Sequence, residues 1–253
     1  MNSVEIKLEE FLKKYPRVAI AFSGGVDSSY LLYAAKTVGC DVNAYFIKSQ
    51  FQPQFELDDA ISLAQFVGVP LTIGTLDSLA DSNISANPAD RCYYCKNAVF
   101  STIWELARAD GHVVLFDGTN ADDDESDRAG MVALRELKVL SPLRECGLTK
   151  SDIRRLSKEA GLFTHDKPSY ACLATRIPTG TTITNELLEK TERAEELLHN
   201  MGFSDFRIRL NLPNDAKLQI HETQWSRAAQ MREEIYSALK KYYDNILLDL
   251  LPR

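Results

Sequence analysis

Between Arg17 and Lys36 the chain reads RVAIAFSGGVDSSYLLYAAK, and this succession constrains the fold more than any other stretch. Val18 to Phe22 form a continuous apolar run, the pattern of a strand buried on both faces. Tyr30, Leu31, Leu32 and Ala35 recur at helical spacing, so the stretch reads as strand, tight turn and helix. The turn is Ser23-Gly24-Gly25-Val26-Asp27-Ser28-Ser29. Gly24 and Gly25 lack Cβ atoms, so the backbone can take unusual dihedrals and bring its N–H groups close to an anion; the helix N-terminus behind them adds partial positive charge. Ser23, Ser28 and Ser29 supply hydroxyl donors around the same point. Such a loop is suited to phosphate.

No lysine follows the glycines, so the loop is neither GxxxxGK(S/T) nor GxGxxG. It resembles the PP-loop of the N-type ATP pyrophosphatases, which split ATP between the α and β phosphates. That resemblance implies an ATP and pyrophosphate site on Ser23, Gly24, Gly25, Asp27, Ser28 and Ser29. Asp27 is suited to hold Mg²⁺, because a hard cation takes carboxylate and phosphate oxygens together. The competing reading is a serine-glycine turn between an ordinary strand and helix.

A chain of 253 residues has room for one large α/β domain or a main domain with a smaller appendage. Its charged and apolar fractions are those of a soluble globular protein. No apolar stretch is long enough to cross a membrane, and MNSVEIKLEEFLKKYPR reads as an amphipathic helix rather than a signal sequence. A cytoplasmic location and no membrane partner follow as expectations. The formal net charge of −7 argues against a large nucleic-acid surface, so no nucleic-acid partner is expected. The five cysteines are an odd number, which points to metal binding or nucleophilic chemistry rather than a disulfide framework. Cys40 and Cys146 read as small, partly buried residues.

Further along, strands are expected at Asp41–Ile47, Pro70–Ile73 and His112–Phe116, with a helix at Leu57–Val67. This alternation indicates a parallel sheet with crossover helices, an α/β fold. Ligands bind beyond the carboxyl ends of such strands, which places the nucleotide over the glycine loop, near Ile47, and near Asp117-Gly118-Thr119-Asn120, the loop after the next inner strand. Gly118 would let backbone approach adenine or ribose. The acids of 117–125 are candidates for Mg²⁺, with no choice among them, and a solvated acidic turn is the alternative.

Cys92 and Cys95 form a Cys-x-x-Cys at the start of a helix running through Ala107, where the helix dipole favours thiolate. Helices follow at RAGMVALREL and, behind Thr149 as N-cap, KSDIRRLSKEAGL. Thr164–Thr184 then reads as a long loop carrying Cys172. Lys167 and Arg176 flank that cysteine, a cationic setting that favours thiolate and attracts an anionic substrate. Beyond it come a helix (Glu186–Met201), strands (Phe206–Leu210, Lys217–Ile220), a helix (Trp225–Lys241) and a strand (Asn245–Leu250), a small α+β domain. Arg207 and Arg209 share one strand face, positioned to clamp phosphate or carboxylate; an arginine-lined solvent face is the alternative. The expected division is 1–165, a loop at 166–183, and 184–253.

SGGVDSS, NPADRCYYCK, DGTNADD, SPLRECGLTKSDIR, DKPSYACLATRIPTG and FRIR together resemble the LarE family of ATP-dependent sulfur transferases. The segment around Cys172 is the specific part, separating this family from other PP-loop enzymes. The resemblance implies adenylylation of a carboxylate of pyridinium-3,5-biscarboxylic acid mononucleotide by ATP and its conversion to a thiocarboxylate, in nickel-pincer cofactor synthesis. It implies a PP-loop domain, a small C-terminal domain, a small-molecule nucleotide as partner, and a homo-oligomer. It makes Cys172 the sulfur-bearing residue and Arg176, Arg207 and Arg209 binders of the substrate's phosphate or carboxylates. Sulfur comes either from Cys172 itself, leaving dehydroalanine, or from a 4Fe-4S cluster on Cys92, Cys95 and Cys172 with one iron open. A tRNA thiolase and a non-catalytic nucleotide-binding module are the competing functions.

Overall fold

The computed structural model describes residues 3–123, 128–211 and 213–251. In chain order the first elements are α1 (Ser3–Leu12), β1 (Arg17–Ala21), α2 (Val26–Val38), β2 (Asp41–Lys48), α3 (Gln54–Val67) and β3 (Leu71–Thr75). They are followed by α4 (Ser82–Ser85), α5 (Arg91–Ala109), β4 (Leu115–Phe116), α6 (Arg128–Glu136), α7 (Pro142–Glu145) and α8 (Lys150–Glu159). The remainder holds α9 (Asn185–Asn200), β5 (Phe206–Asn211), β6 (Asp215–Ile220), α10 (Trp225–Gln230), α11 (Arg232–Leu239) and β7 (Ile246–Leu248). Contacts divide the chain into two compact units, Met1–Ser78 with Asp90–Lys167, and Leu79–Ala89 with Pro168–Arg253.

In the first unit four parallel strands lie in the order β3-β2-β1-β4. Period two sends alternate side chains to opposite faces. Val18, Ile20, Val42, Ala44, Phe46 and Phe116 join a core with residues of α1, α2, α3, α7 and α8. Ala19, Tyr45, Ile47 and Leu115 join the opposite core with α5 and α6. Helices therefore cover both faces, and β1 and β2 are apolar almost throughout because neither side meets water. Each fully buried Val, Leu, Ile or Phe side chain among them contributes roughly 1.5–3 kcal/mol by burial. The fold is α/β, as the alternation of elements indicated. Among the described residues no helix is long and apolar enough to cross a membrane.

Two expectations are corrected here. The segment 112–116 yields only Leu115–Phe116 and stands at one edge of the four strands, with an isolated parallel bridge from Phe116 to Leu140. Its first residues are taken up by the end of α5, where the His112 N–H donates to the Ala107 carbonyl. The helix expected over 225–241 is broken into α10 and α11 at Met231 (φ −96°, ψ 18°).

The second unit pairs β5 antiparallel with β6, and β6 parallel with β7. Phe206, Ile208 and Leu210 alternate inward with Ala216, Leu218 and Ile220 onto Ala194, Leu198, Ile235 and Leu239 of the helices. Asn87 adopts φ +56° and is buried; its Nδ2 donates to the carbonyls of Ile177 (3.3 Å) and Pro178 (2.8 Å), while its own carbonyl accepts from Gly180 N–H at 2.8 Å. The Ser85 carbonyl likewise accepts from Ile183 N–H at 2.7 Å. These bonds stitch the 79–89 segment to the loop that follows Cys172.

His112 is buried edge-on to Tyr45, and neither ring nitrogen has a hydrogen-bond partner among the described residues. Burial first, then the nearby charge of Arg17, lowers its pKa against the opposing pull of Asp41 and Asp110. The unfolded chain thus takes up a proton that the folded chain refuses, so stability present above the unfolded value of about 6.5 is lost as pH falls below it. Urea midpoints are expected to drop between pH 7.5 and pH 5.5 in the native chain and to drop less in His112→Phe. Equal slopes would show that His112 does not carry the effect.

Candidate functional site

The turn between β1 and α2 is held by the backbone on two sides. Gly24 has φ +70°, and a Cβ there would lie 3.1–3.3 Å from the backbone of Ala60 and Glu56 in α3. A side chain at this position would thus be both strained and crowded. At Gly118, behind β4, a Cβ would lie 2.9 Å from Ser28 N and 3.1 Å from its Cα. The close approach that Gly118 permits is therefore to the first turn of α2.

The hydroxyls organise the turn from within. Ser23 Oγ lies 3.1 Å from Ser28 Oγ, and Ser28 Oγ donates to the Gly25 carbonyl at 3.2 Å. Gly25 is the N-cap of α2 and has no side chain with which to cap it, so the first N–H groups of that helix keep their capacity for an anion. Ser23 is exposed, whereas Ser28 is buried. Ser29 is completely buried and its Oγ has no partner among the described residues. Ile47 is also buried, with its Cδ1 in the space a Gly74 side chain would need. Its side chain belongs to the core; the turn after β2 is made instead by Ser49, whose Oγ donates to Gln52 Oε1 at 2.7 Å.

Asp27 sits in the first turn of α2 with its two oxygens in different states. Oδ2 accepts from Lys150 Nζ at 2.5 Å, while Oδ1 is buried with no partner among the described residues. Burial pushes the Asp27 carboxyl above its ordinary value, Lys150 opposes this, Asp123 adds to it and Arg154 opposes it. An unpartnered buried carboxylate oxygen beside an anion-ready turn fits a hard divalent cation. Lys150, at the start of α8, was not among the residues the sequence suggested; the capping box of Thr149 and Asp152 behind it fixes its place and was legible.

The acidic loop after β4 is partly interior. Asp117 and Asn120 are buried, and Asp117 accepts from Thr119 Oγ1 at 2.5 Å and from Thr119 N–H at 3.3 Å. Burial raises the Asp117 pKa, which Thr119 and Ser141 counter by hydrogen bonding. Asp122 Oδ2 accepts from Lys150 N–H at 2.7 Å, and Asp123 Oδ2 from Asn120 N–H at 2.8 Å. Asp124 and Glu125 lie outside the described residues.

Cys92 and Cys95 lie half-buried in the first turn of α5, and Arg91 Nη2 reaches within 4.0 Å of Cys92 Sγ. All five cysteines are described, and none is in a disulfide. Among the described residues no group of three or more His, Cys, Asp or Glu side chains is placed to hold a metal ion.

In the second unit, half-buried Cys172 precedes a 3-10 turn at Leu173–Arg176, whose Thr175 N–H and Oγ1 both donate to the Cys172 carbonyl. Arg176 is wholly buried. Its Nε and Nη2 engage both oxygens of Glu195 at 2.8 and 3.0 Å, and Nη1 donates to the Ala171 carbonyl and to Thr175 Oγ1. Glu195 also accepts from Ile208 N–H (3.0 Å) and Tyr170 Oη (2.8 Å), and the Tyr170 ring lies under the guanidinium at 4.5 Å. Burial alone would depress the Arg176 pKa, but the bonded Glu195 carboxylate holds it above the ordinary value. Arg209 on β5 donates from Nη1 to the Thr175 carbonyl at 2.7 Å and from Nε to Gln219 at 2.6 Å; Arg207 shares its face. Lys167, in the first unit, pairs with Asp59 at 2.6 Å and donates to the Gly24 carbonyl. Each of the two cations that flank Cys172 in sequence thus has a carboxylate beside it, and Arg176 also interacts electrostatically with Cys172.

The fold and this turn define the class: an α/β protein of the PP-loop type. The chain matches no protein-family model. It is 37% identical over 81% of its length to an uncharacterised protein of Synechocystis sp., covering 78% of that protein. It is 35% identical over 83% of its length to the pyridinium-3,5-bisthiocarboxylic acid mononucleotide synthase of Lactiplantibacillus plantarum, covering 77% of that enzyme. A more distant similarity, 27% over 60% of this chain and 54% of the other, is to the tRNA-specific 2-thiouridylase MnmA of Pseudothermotoga lettingae. The chain belongs to the LarE family, that of the pyridinium-3,5-bisthiocarboxylic acid mononucleotide synthases.

Two substitutions probe the two halves. Gly118→Ala is expected to cost about 1–3 kcal/mol by overpacking against Ser28, read from urea denaturation, and to weaken ATP binding; unchanged values would mean the loop yields freely. Glu195→Ala leaves Arg176 buried and unpaired and is expected to cost about 3–5 kcal/mol, whereas Arg176→Met with Glu195→Leu is expected to lose less. A double variant no better than the single would show that the contribution is not electrostatic.

Proposed function

We propose that this chain activates a carboxylate of pyridinium-3,5-biscarboxylic acid mononucleotide with ATP and replaces an oxygen of that group by sulfur from Cys172. The observation that carries the reading is the uncapped, hydroxyl-lined start of α2 with an unpartnered carboxylate oxygen at Asp27, in a chain with a sulfur-inserting relative. The backbone N–H groups of Gly24 and Gly25 and the hydroxyls of Ser23 and Ser28 bind the β and γ phosphates. Mg²⁺ bound at Asp27 would neutralise charge on the departing pyrophosphate. The substrate carboxylate oxygen attacks the α phosphorus, the α–β bridging bond breaks, and an acyl-adenylate remains. A carboxylate resists sulfur because it is anionic and lacks a leaving group; adenylylation removes both obstacles.

The Cys172 thiolate then attacks the acyl carbon and AMP departs, giving a thioester to the protein. Loss of the Cys172 Cα proton and rupture of its Cβ–S bond leave dehydroalanine and the substrate thiocarboxylate. Arg207 and Arg209 are the residues proposed to hold the substrate's phosphate or second carboxylate, since period two sets both on one strand face. Arg176, with both Glu195 oxygens and the Ala171 carbonyl engaged, serves to position the cysteine loop.

The other sulfur source, a 4Fe-4S cluster on Cys92, Cys95 and Cys172, asks for three thiolates and a cluster besides. The single-cysteine route asks only for Cys172. A tRNA substrate is disfavoured by the net charge of −7. A cytoplasmic, oligomeric enzyme is consistent with this reading.

Intact mass and peptide mapping after anaerobic incubation with ATP, Mg²⁺ and the biscarboxylate mononucleotide test it. Loss of the elements of hydrogen sulfide at Cys172, matched by thiocarboxylate, is the expected result. Thiocarboxylate formed at unchanged mass would overturn the sacrificial cysteine, and absence of product would overturn the substrate.

A further inference from the structure

Lys150 and Asp27 are 123 residues apart in sequence, yet Nζ of one lies 2.5 Å from Oδ2 of the other, with side chains only 30% and 21% exposed. The backbone beneath Lys150 is fixed. Thr149 and Asp152 form a reciprocal capping box, and the Lys150 N–H donates to Asp122. The ammonium, by contrast, rides on four methylenes and can change partner without moving α8. Arg154, one turn further along α8, also acts on the Asp27 charge, but its Nη1 and Nη2 are committed to the carbonyls of His165 and Lys167. Among the described residues, Lys150 is therefore the cation of this group that pairs with one charged side chain, Asp27.

The carboxylate it holds is the one whose other oxygen is buried without a partner among the described residues, at the uncapped start of α2. An ammonium and a divalent cation cannot share one carboxylate at contact distance, because like charges repel most strongly where water is scarce. A polyphosphate arriving with its cation offers the ammonium several new acceptor oxygens at the same place.

We propose that Lys150 stands in for the divalent cation on Asp27 while nucleotide is absent, and passes to the polyphosphate when the cation–nucleotide complex enters. Lys150 then has two opposed effects: it excludes a bare cation from Asp27, and it strengthens binding of the cation together with nucleotide. The site would thus admit metal and nucleotide as a unit. This inference rests on the reading of the turn as an ATP site.

The test uses the full chain and Lys150→Met, with Mn²⁺ alone followed by electron paramagnetic resonance, and with Mg²⁺ plus α,β-methylene ATP followed by calorimetry. Removing the ammonium is expected to tighten Mn²⁺ about fivefold or more, because its competitor is gone, and to weaken the nucleotide complex about tenfold. Asp27→Asn is expected to abolish the Mn²⁺ gain when combined with Lys150→Met. Affinities that shift in the same direction, or not at all, would overturn the exchange and leave Lys150 a fixed structural partner. Failure of the unaltered chain to bind the nucleotide analogue would overturn the ATP reading itself, whereas binding with same-sign shifts in the variant overturns only the role of Lys150.

Discussion

Two missing Cβ atoms set the position of everything at the carboxyl end of the first sheet. Gly24 lets the turn after β1 lie against the backbone of α3, and Gly118 lets the segment after β4 lie against the first turn of α2. A methyl group at either place would meet backbone rather than a flexible side chain, so neither gap closes by rotamer change. Because β1 is paired in parallel on both sides, these approaches aim the start of α2 outward from the sheet edge. The hydroxyls of Ser23 and Ser28, the N–H groups of the turn and the Asp27 carboxylate inherit their places from that arrangement.

Charge is managed in both units by pairing cations with carboxylates. Lys150 meets Asp27, Lys167 meets Asp59, and Arg176 meets Glu195. The first two pairs are partly exposed, their side chains between 17% and 34% open to solvent. The third is different: Arg176 is wholly buried, and Glu195 accepts four hydrogen bonds, including one from the β5 backbone. Such a hub cannot lose one member without leaving a buried charge unpaired. It ties the loop of Cys172 to the strand that carries Arg207 and Arg209, the residues proposed as thiol donor and substrate clamp.

The features legible in the sequence are those written in local residue order. The strand, turn and helix from Arg17 to Lys36, the Thr149 cap and the alternation of Arg207 with Ile208 and Arg209 all depend on neighbours a few positions apart. What escaped depends on distant partners. Lys150 looks like one more charge at a helix start, and Glu195 like one of several acids in NELLEKTERAEELLHN, until Asp27 and Arg176 are brought to them. Asn87 carries no sign that it will adopt φ +56° and bind the loop at Ile177–Pro178. The break at Met231 has neither glycine nor proline to mark it, and the shortness of β4 follows from the turn that closes α5. Gly118 was visible as a point of close approach, but only the neighbouring helix identifies what approaches it.

In the proposed function the central step is transfer of the adenylyl group to the substrate's own carboxylate, and an isotope follows that oxygen directly. The biscarboxylate mononucleotide is labelled with heavy oxygen in both carboxylates, incubated with the protein and Mg²⁺-ATP in unlabelled water, and the AMP is weighed by mass spectrometry. An acyl-adenylate opened by sulfur leaves a single labelled oxygen in the AMP phosphoryl group, while the pyrophosphate stays unlabelled. AMP formed without label, alongside thiocarboxylate, would contradict activation of the carboxylate by adenylylation.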